Sequence, residues 1–195
     1  MERKEPSHPL RPGKPERIEF EYIRHGTLSL IANFDVVSGK IVSPSIGETR
    51  NEQDFGEHIK KLIDSDHDAQ SWILIADQLN THKSETLVRL IAETCDIKDD
   101  LGVKGKTGIL RSMETRAAFL SDPSRKIRFV YTPKHCSWLN QIEIWFGVLY
   151  KKVLKRGSFL SKKDLEEKIL SFIDYFNKTM AKPFKWTFKG FPLKA

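Results

Sequence analysis

At 195 residues, 39% hydrophobic and 30% charged, the chain has the size and composition of one globular domain with room for a real core. No window approaches the run of about 18 apolar residues that a membrane span needs, and Met1-Glu2-Arg3-Lys4 lacks the apolar stretch of a signal peptide, which argues against a membrane protein and makes the cytoplasm the expected compartment. The net charge of +7 is uneven: residues 146–195 hold 12 Lys/Arg against 4 Asp/Glu, which leaves −1 for the first 145, and such a basic end suits a polyanion such as nucleic acid, although a lysine-rich solvated surface has the same signature.

Cys95 and Cys136 are too few and too isolated for a disulfide framework or a Cys-x-x-Cys metal site. His135-Cys136 with His82 has no metal-ligand spacing. Residues 1–19 carry Pro6, Pro9, Pro12, Gly13 and Pro15 among charged residues, which disfavours helix and strand alike and predicts an extended arm. LSLIANF (28–34) and KIVSPSI (40–46) are apolar and β-branched runs joined by a Ser38-Gly39 turn, and they predict a hairpin. Thr49-Arg50-Asn51-Glu52 has the pattern of a capping box, and Phe55, Ile59, Leu62 and Ile63 at helical spacing predict a helix over 51–63.

SWILIAD (71–77) is a nearly continuous apolar run, as expected of a central strand buried on both faces. Leu87, Leu90, Ile91 and Thr94 mark a second helix. From 96 to 126 the pattern is weak: a glycine-punctuated loop over 99–108 and a short helix over 114–120. GVKGKTG does not have the glycine spacing of a phosphate-binding loop, and no apolar strand leads into it. IRFVY (127–131) predicts another strand. Leu139, Ile142, Phe146, Leu149 and Val153 predict a helix starting near Trp138, capped by Ser137, and Leu165, Ile169, Phe172 and Phe176 predict another after Ser161. The sum is an α/β domain, a mixed sheet covered by helices.

Two acids stand out. Asp77 ends the predicted 71–77 strand, at the carboxyl edge where sites in α/β folds gather, although an acid there also starts turns. Glu143 lies in the first turns of its helix, sharing one side with Asn140 and Gly147, where the helix dipole favours negative charge whatever its use. Carboxylates at a strand end and a helix start can meet above the sheet edge. Their hard oxygens suit magnesium, and two such ions about 3.5–4 Å apart can activate an attacking oxygen and stabilise a leaving one in phosphodiester displacement.

Four blocks in order, YIRHGTLSLIANFDVVSGK, ILIADQLNTHKS, YTPKHCSWLNQIEIWFGVLYKKVLKRGSF and NKTMAKPFKWTFKG, make the chain resemble bacterial insertion-sequence transposases of the mariner superfamily, specifically the insertion sequence 630 family with its DDE endonuclease domain. The resemblance implies a ribonuclease H-like fold and a site of three acids holding two magnesium or manganese ions, which nicks DNA at the element ends and joins it to a target. It makes Asp77 and Glu143 the second and third acids, catalytic and metal-ligating, with Asn80, His82 and Asn140 shaping the site. Arg24-His25-Gly26-Thr27 would lie on the strand entering the core.

In that family the first acid lies on a strand ahead of the segment matching the proline-rich arm. The resemblance therefore implies a chain lacking the first strand, its acid and an upstream helix-turn-helix. The expected division is an extended arm (1–19), a catalytic domain incomplete at its N-terminus (20–180) and a basic aromatic tail (181–195). Little or no cleavage is expected from this chain alone. The implied partners are DNA, as transposon ends and target, and either a homo-oligomer or a complementing N-terminal fragment. The alternative is a non-catalytic DNA-binding or oligomerising remnant, using Lys151, Lys152, Lys155 and Arg156 with the lysines, Trp186 and Phe188 of the tail. As a substitute third acid, Asp35 reads as a turn residue, and Glu19 and Glu21 as surface.

Overall fold

A computed structural model of the chain describes residues 2–5, 8–17, 20–136 and 139–185. The N-terminal segment doubles back on itself and is not extended: β1 (Glu2–Arg3) pairs antiparallel with β2 (Tyr22–Ile23), and single bridges join His8 to Arg17 and Arg11 to Lys14. The reason is Pro12-Gly13. Proline suits the first corner of a type II turn and Gly13, at φ +73°, the second, so the same prolines that argue against structure make the hairpin's tip. Arg24 to Thr27 are exposed and outside any strand, contrary to expectation, and His25 Nε2 lies 2.7 Å from Glu2 Oε2.

The predicted hairpin forms from β3 (Ser29–Asp35) and β4 (Lys40–Gly47). Asp35 ties its turn, accepting from the amides of Val37 and Ser38 and from the Ser38 hydroxyl. Burial pushes its pKa up, but the Ser38 hydroxyl, those amides and Lys40 outweigh it and hold the carboxyl below its ordinary value. Gly39, at φ +73°, closes the turn against the backbone of Lys182, where a Cβ would stand 1.8 Å from the carbonyl oxygen. Phe184 N donates to Val36 O at 2.9 Å, so residues 181–185 of the predicted tail lie along this turn. Trp186 and Phe188 lie outside the described residues.

Helix α1 (Glu52–Asp64) starts later than the capping pattern suggests: Asn51 Oδ1 accepts from the amides of Gln53 and Asp54, and Asp54 reciprocates to the Asn51 amide. Thr49 instead donates to Asp54 Oδ2 at 2.6 Å. Next come β5 (Trp72–Ala76), a 3₁₀ turn (Asn80–Lys83), α2 (Glu85–Thr94) capped by Ser84, a second 3₁₀ turn (Ile109–Arg111), α3 (Met113–Leu120) capped by Ser112, and β6 (Ile127–Tyr131). GVKGKTG is a largely exposed loop that closes on itself: Lys104 pairs with Glu52 at 3.2 Å, and a Cβ on Gly102 would stand 2.2 Å from Thr107 O. The chain ends in α4 (Ile142–Leu149), a π-helical turn (Tyr150–Leu154) and α5 (Lys162–Thr179) capped by Ser161.

β5 and β6 run parallel, Trp72 opposite Ile127 through Ala76 opposite Tyr131. The described strands form three separate two-stranded sheets, with no ladder joining the hairpin to the parallel pair, so the expected single mixed sheet is not continuous. β5 is also not buried on both faces. Trp72, Leu74 and Ala76 face inward with Ile127 and Phe129, whereas Ile73, Ile75 and Val130 are exposed. One core gathers Phe55 and Ile59 of α1 with β5, β6, α2 and α3; a second gathers Trp145 and Leu149 of α4 and Ile169, Ile173 and Phe176 of α5 on the hairpin. No helix among the described residues is long and apolar enough to cross a membrane.

This face assignment predicts unequal costs. Phe129→Ala, emptying a fully buried site, should destabilise by about 3–5 kcal/mol, whereas Val130→Thr on the open face should cost less than about 1 kcal/mol. Urea unfolding of both variants checks it, and similar losses would place Val130 in a core.

Candidate active site

The parallel ladder ends where Thr132 N donates to Ala76 O at 2.9 Å. One residue later Asp77 turns the chain, its Oδ1 accepting from Leu79 N at 3.0 Å, an aspartate turn that leads into the 3₁₀ turn. His82 on that turn reaches back, its Nδ1 2.8 Å from the same Oδ1. With the proton on Nδ1, the imidazole donates to the carboxylate and fixes its rotation. Asp77 Oδ2 has no protein partner among the described residues, so one oxygen is held and the other is open at the carboxyl end of the strand. Asn80, also predicted for the site, opens the turn and is exposed, without a side-chain hydrogen bond among the described residues.

The turn is clamped by residues that sequence reasoning does not single out. Tyr131 OH donates to His82 O at 2.7 Å, and burial pushes the phenol above its ordinary pKa, which keeps it a neutral donor. Gln78 Nε2 donates to Thr132 O at 2.6 Å and its Oε1 accepts from Lys83, whose ammonium also lies 4.7 Å from the Tyr131 ring centroid. Buried Arg116 crosses from α3 to donate to Lys83 O at 2.7 Å and Leu110 O at 3.0 Å. Tyr131 had a readable signal, since it ends the strand run that partners 72–76. Arg116 belongs to no motif.

Behind His82 stands the Phe55 ring, centroids 4.4 Å apart. One turn further along α1, His58 is 1% exposed, with Nδ1 2.9 Å from Ser45 Oγ and Nε2 buried without a partner. Burial first, then the charges of Lys61 and His82, lower its pKa from 6.5 to about 4.

Glu143 is carried by α4, whose Trp145 and Leu149 lie in the other core. It sits in the first turn of α4, exposed, its amide donating to Asn140 O at 3.1 Å. Asn140 lies just ahead of the helix and not on its face, because α4 begins only at Ile142, with no side-chain cap from Gln141. The predicted cap Ser137 and start Trp138 lie outside the described residues. A Cβ on Gly147 would meet nothing within 4 Å, so the side of α4 bearing Glu143 is open. Beyond it, Lys151, Lys152, Lys155 and Arg156 are all exposed on and after the π-helical turn. The spacings 151/155 and 152/156 gather like charges that destabilise a helix unless a polyanion meets them. Arg156 is 3.5 Å from Glu16 of the N-terminal hairpin.

Among the described residues no hydrogen bond or ion pair joins Asp77 to Glu143, and no group of three His, Cys, Asp or Glu residues is placed to hold a metal. The open oxygen of Asp77 and the carboxylate of Glu143 have the hard chemistry that magnesium prefers, but no third such group stands with them among the described residues, and the other Asp77 oxygen is shared with His82. The donors as arranged do not fit a metal pair. Neither remaining candidate third acid helps: Asp35 is tied to its turn and Glu21 pairs with Lys4 at 2.8 Å; Glu19 lies outside the described residues.

The sequence profile of the DDE superfamily endonuclease family matches residues 2–166. No curated protein and no solved structure matches the chain.

His58 makes stability behind the site pH-dependent. The unfolded imidazole takes its proton near pH 6.5, the folded one only near pH 4, so stability is lost as pH falls through that window, by up to about 3 kcal/mol. Urea midpoints measured from pH 7 to 4 should fall more steeply for the wild type than for His58→Gln. Equal slopes would mean the ring is not held neutral.

Proposed function

Because the chain belongs to the DDE superfamily endonuclease family, a family of transposase-like nucleases that act on DNA, we propose that Asp77 and Glu143 are two acids of a phosphodiester-cleaving site. In this reading the chain works as an insertion-sequence transposase of the mariner superfamily, with a ribonuclease H-like catalytic domain, in the cytoplasm. The observation that carries it is the state of Asp77: at the carboxyl end of a strand, with one oxygen fixed by His82 and the Leu79 amide and the other open. Such a carboxylate is preorganised to meet a cation or a water, and His82 and Asn80 border it.

A divalent ion would supply charge neutralisation at the scissile phosphate. Among the described residues no such ion has a complete set of donors, and the residues contribute position: His82 sets the rotation of Asp77, Tyr131 and Arg116 hold the turn that carries His82, and α4 presents Glu143. A third carboxylate, from an N-terminal fragment or another copy, is what the proposal requires. The second reading, a DNA-binding remnant without cleavage, is favoured by the lack of a metal-holding group of three acids among the described residues and by the exposed cations at 151, 152, 155 and 156.

Two measurements separate the readings. On transposon-end DNA with magnesium or manganese, the chain alone should not cut, and adding the N-terminal fragment with its acid should restore cutting. In the complemented mixture Asp77→Asn or Glu143→Gln should slow it by about 100-fold or more, the scale of one preorganised group. Metal-dependent cutting by the chain alone, lost in the double variant, would refute the need for a third acid. For binding, alanine at Lys151, Lys152, Lys155 and Arg156 should reduce the slope of log K against log salt by about 0.9 for each lost phosphate contact, equally on any DNA sequence. An unchanged slope would move the DNA contact elsewhere.

A further inference from the structure

The side of α4 that carries Glu143 runs on to the end of the helix. Glu143, Gly147 and Tyr150 are spaced i, i+4 and i+7, which sets them on one face. The burial agrees: Glu143 and Tyr150 are exposed, while Trp145 and Leu149 are buried on the opposite side. Tyr150 N still donates to Phe146 O, so α-helical spacing holds as far as that residue. Gly147 leaves the stretch between carboxylate and ring bare, since a Cβ there would meet nothing within 4 Å. Tyr150 is 53% exposed, and its hydroxyl has no partner among the described residues.

A half-exposed tyrosine is ordinary on a protein surface, but the surroundings of this one are not. From Ile144 to Lys163 the sequence contains no Asp or Glu, and Lys151, Lys152, Lys155 and Arg156 follow the ring closely, all exposed. Among the described residues the three lysines have no ion pair, and Arg156 has Glu16 at 3.5 Å. Tyr175, a similarly exposed tyrosine on α5, instead adjoins an acid, Asp174, paired with Lys178. The helix also changes form at Tyr150. Lys155 N donates to Tyr150 O at 2.8 Å, and this π-helical closure, a form that recurs at functional sites, brings Lys155 to the side of the ring.

An open aromatic ring among unneutralised cations has the chemistry of a stacking platform for single-stranded nucleic acid. Paired bases already stack on their neighbours and show a protein only their edges, whereas an unpaired base offers its face. We propose that Tyr150 stacks on an unpaired base of a DNA strand lying along the Glu143 face of α4, with Lys151, Lys152, Lys155 and Arg156 meeting the phosphates beside that base. The seven residues from Glu143 to Tyr150 rise about 10 Å, which is about three nucleotides of a stacked strand at about 3.4 Å each. The gripped base therefore lies close to the phosphate that Glu143 faces, and Gly147 keeps the path between them clear. This rests on the proposed reading of the chain as a protein that acts on DNA and deepens it: the preferred substrate is DNA opened next to the phosphate to be cleaved, not continuous duplex.

Fluorescence anisotropy on the full chain tests this, using labelled DNA of one sequence that is either fully paired or carries a short unpaired gap. The wild type should bind the gapped DNA more tightly. Tyr150→Ala and Tyr150→Leu should each reduce that preference, the ratio of the two affinities, by about fivefold or more, the scale of one stacked base, whereas Tyr150→Phe should keep it. A wild type with equal affinity for both DNAs, or an unchanged ratio in the alanine and leucine variants, would overturn the proposal. So would a phenylalanine variant as indifferent as alanine, because the hydroxyl would then be the contact and a phosphate its partner. Duplex binding without preference overturns this inference alone, while failure to bind either DNA overturns the reading of the chain as a DNA-acting protein as well.

Discussion

The parallel ladder between β5 and β6 is the constraint on which the candidate site depends. Its register sets Ala76 opposite Tyr131, and both chain segments leave the sheet at that point. Thr132 is held by Ala76 and in turn receives Gln78, so the exit of one strand fixes that of the other. Asp77 is the first residue free of the ladder, and the Leu79 amide and the His82 ring settle its rotation at once. A shift of β6 by one residue would take the Tyr131 hydroxyl off His82 O and turn its side chain to the opposite face. Placement of the carboxylate is thus a property of strand pairing, and only secondarily of the loop that carries it.

The second acid answers to different contacts. Glu143 is carried by α4, whose Trp145 and Leu149 pack with α5 against the hairpin. The two cores communicate through α1, which presents Phe55 and Ile59 to the parallel pair while His58 meets Ser45 and Lys61 Nζ donates to Pro44 O at 2.6 Å. No ladder joins the halves among the described strands. Their relative placement rests on side-chain packing, of α1 and also of Ile31 of the hairpin against the first core.

How far the fold and the site are legible in the sequence depends on the range of the interactions. Ser161 caps the helix that follows it, and the hairpin forms around Ser38-Gly39, because each of these signals is complete within a few residues. The sequence pattern places the first helix's cap two residues early, since Thr49 and Asn51 both offer an oxygen at that helix start and only the backbone geometry decides between them. The apolar run at 71–77 identifies a strand but not its environment: alternation is absent from WILIA whether one face is covered or two, and the number of neighbouring strands is a tertiary fact. Pro12-Gly13 is readable as a turn, yet the density of prolines around it outweighs that signal. Asp77 and His82 can be paired by their closeness in sequence. Arg116 and Tyr131, which hold the turn from 33 and 49 residues away, cannot.

Asp77 stands immediately beyond the unguarded edge of β5, so whatever occupies that edge also borders the carboxylate. A strand laid beside Ile73 and Ile75 extends the sheet toward the open Asp77 oxygen and excludes water from one side of it, and lower local dielectric strengthens every charge interaction there. A third acid brought in on such a strand would arrive at the carboxylate already oriented by backbone hydrogen bonds.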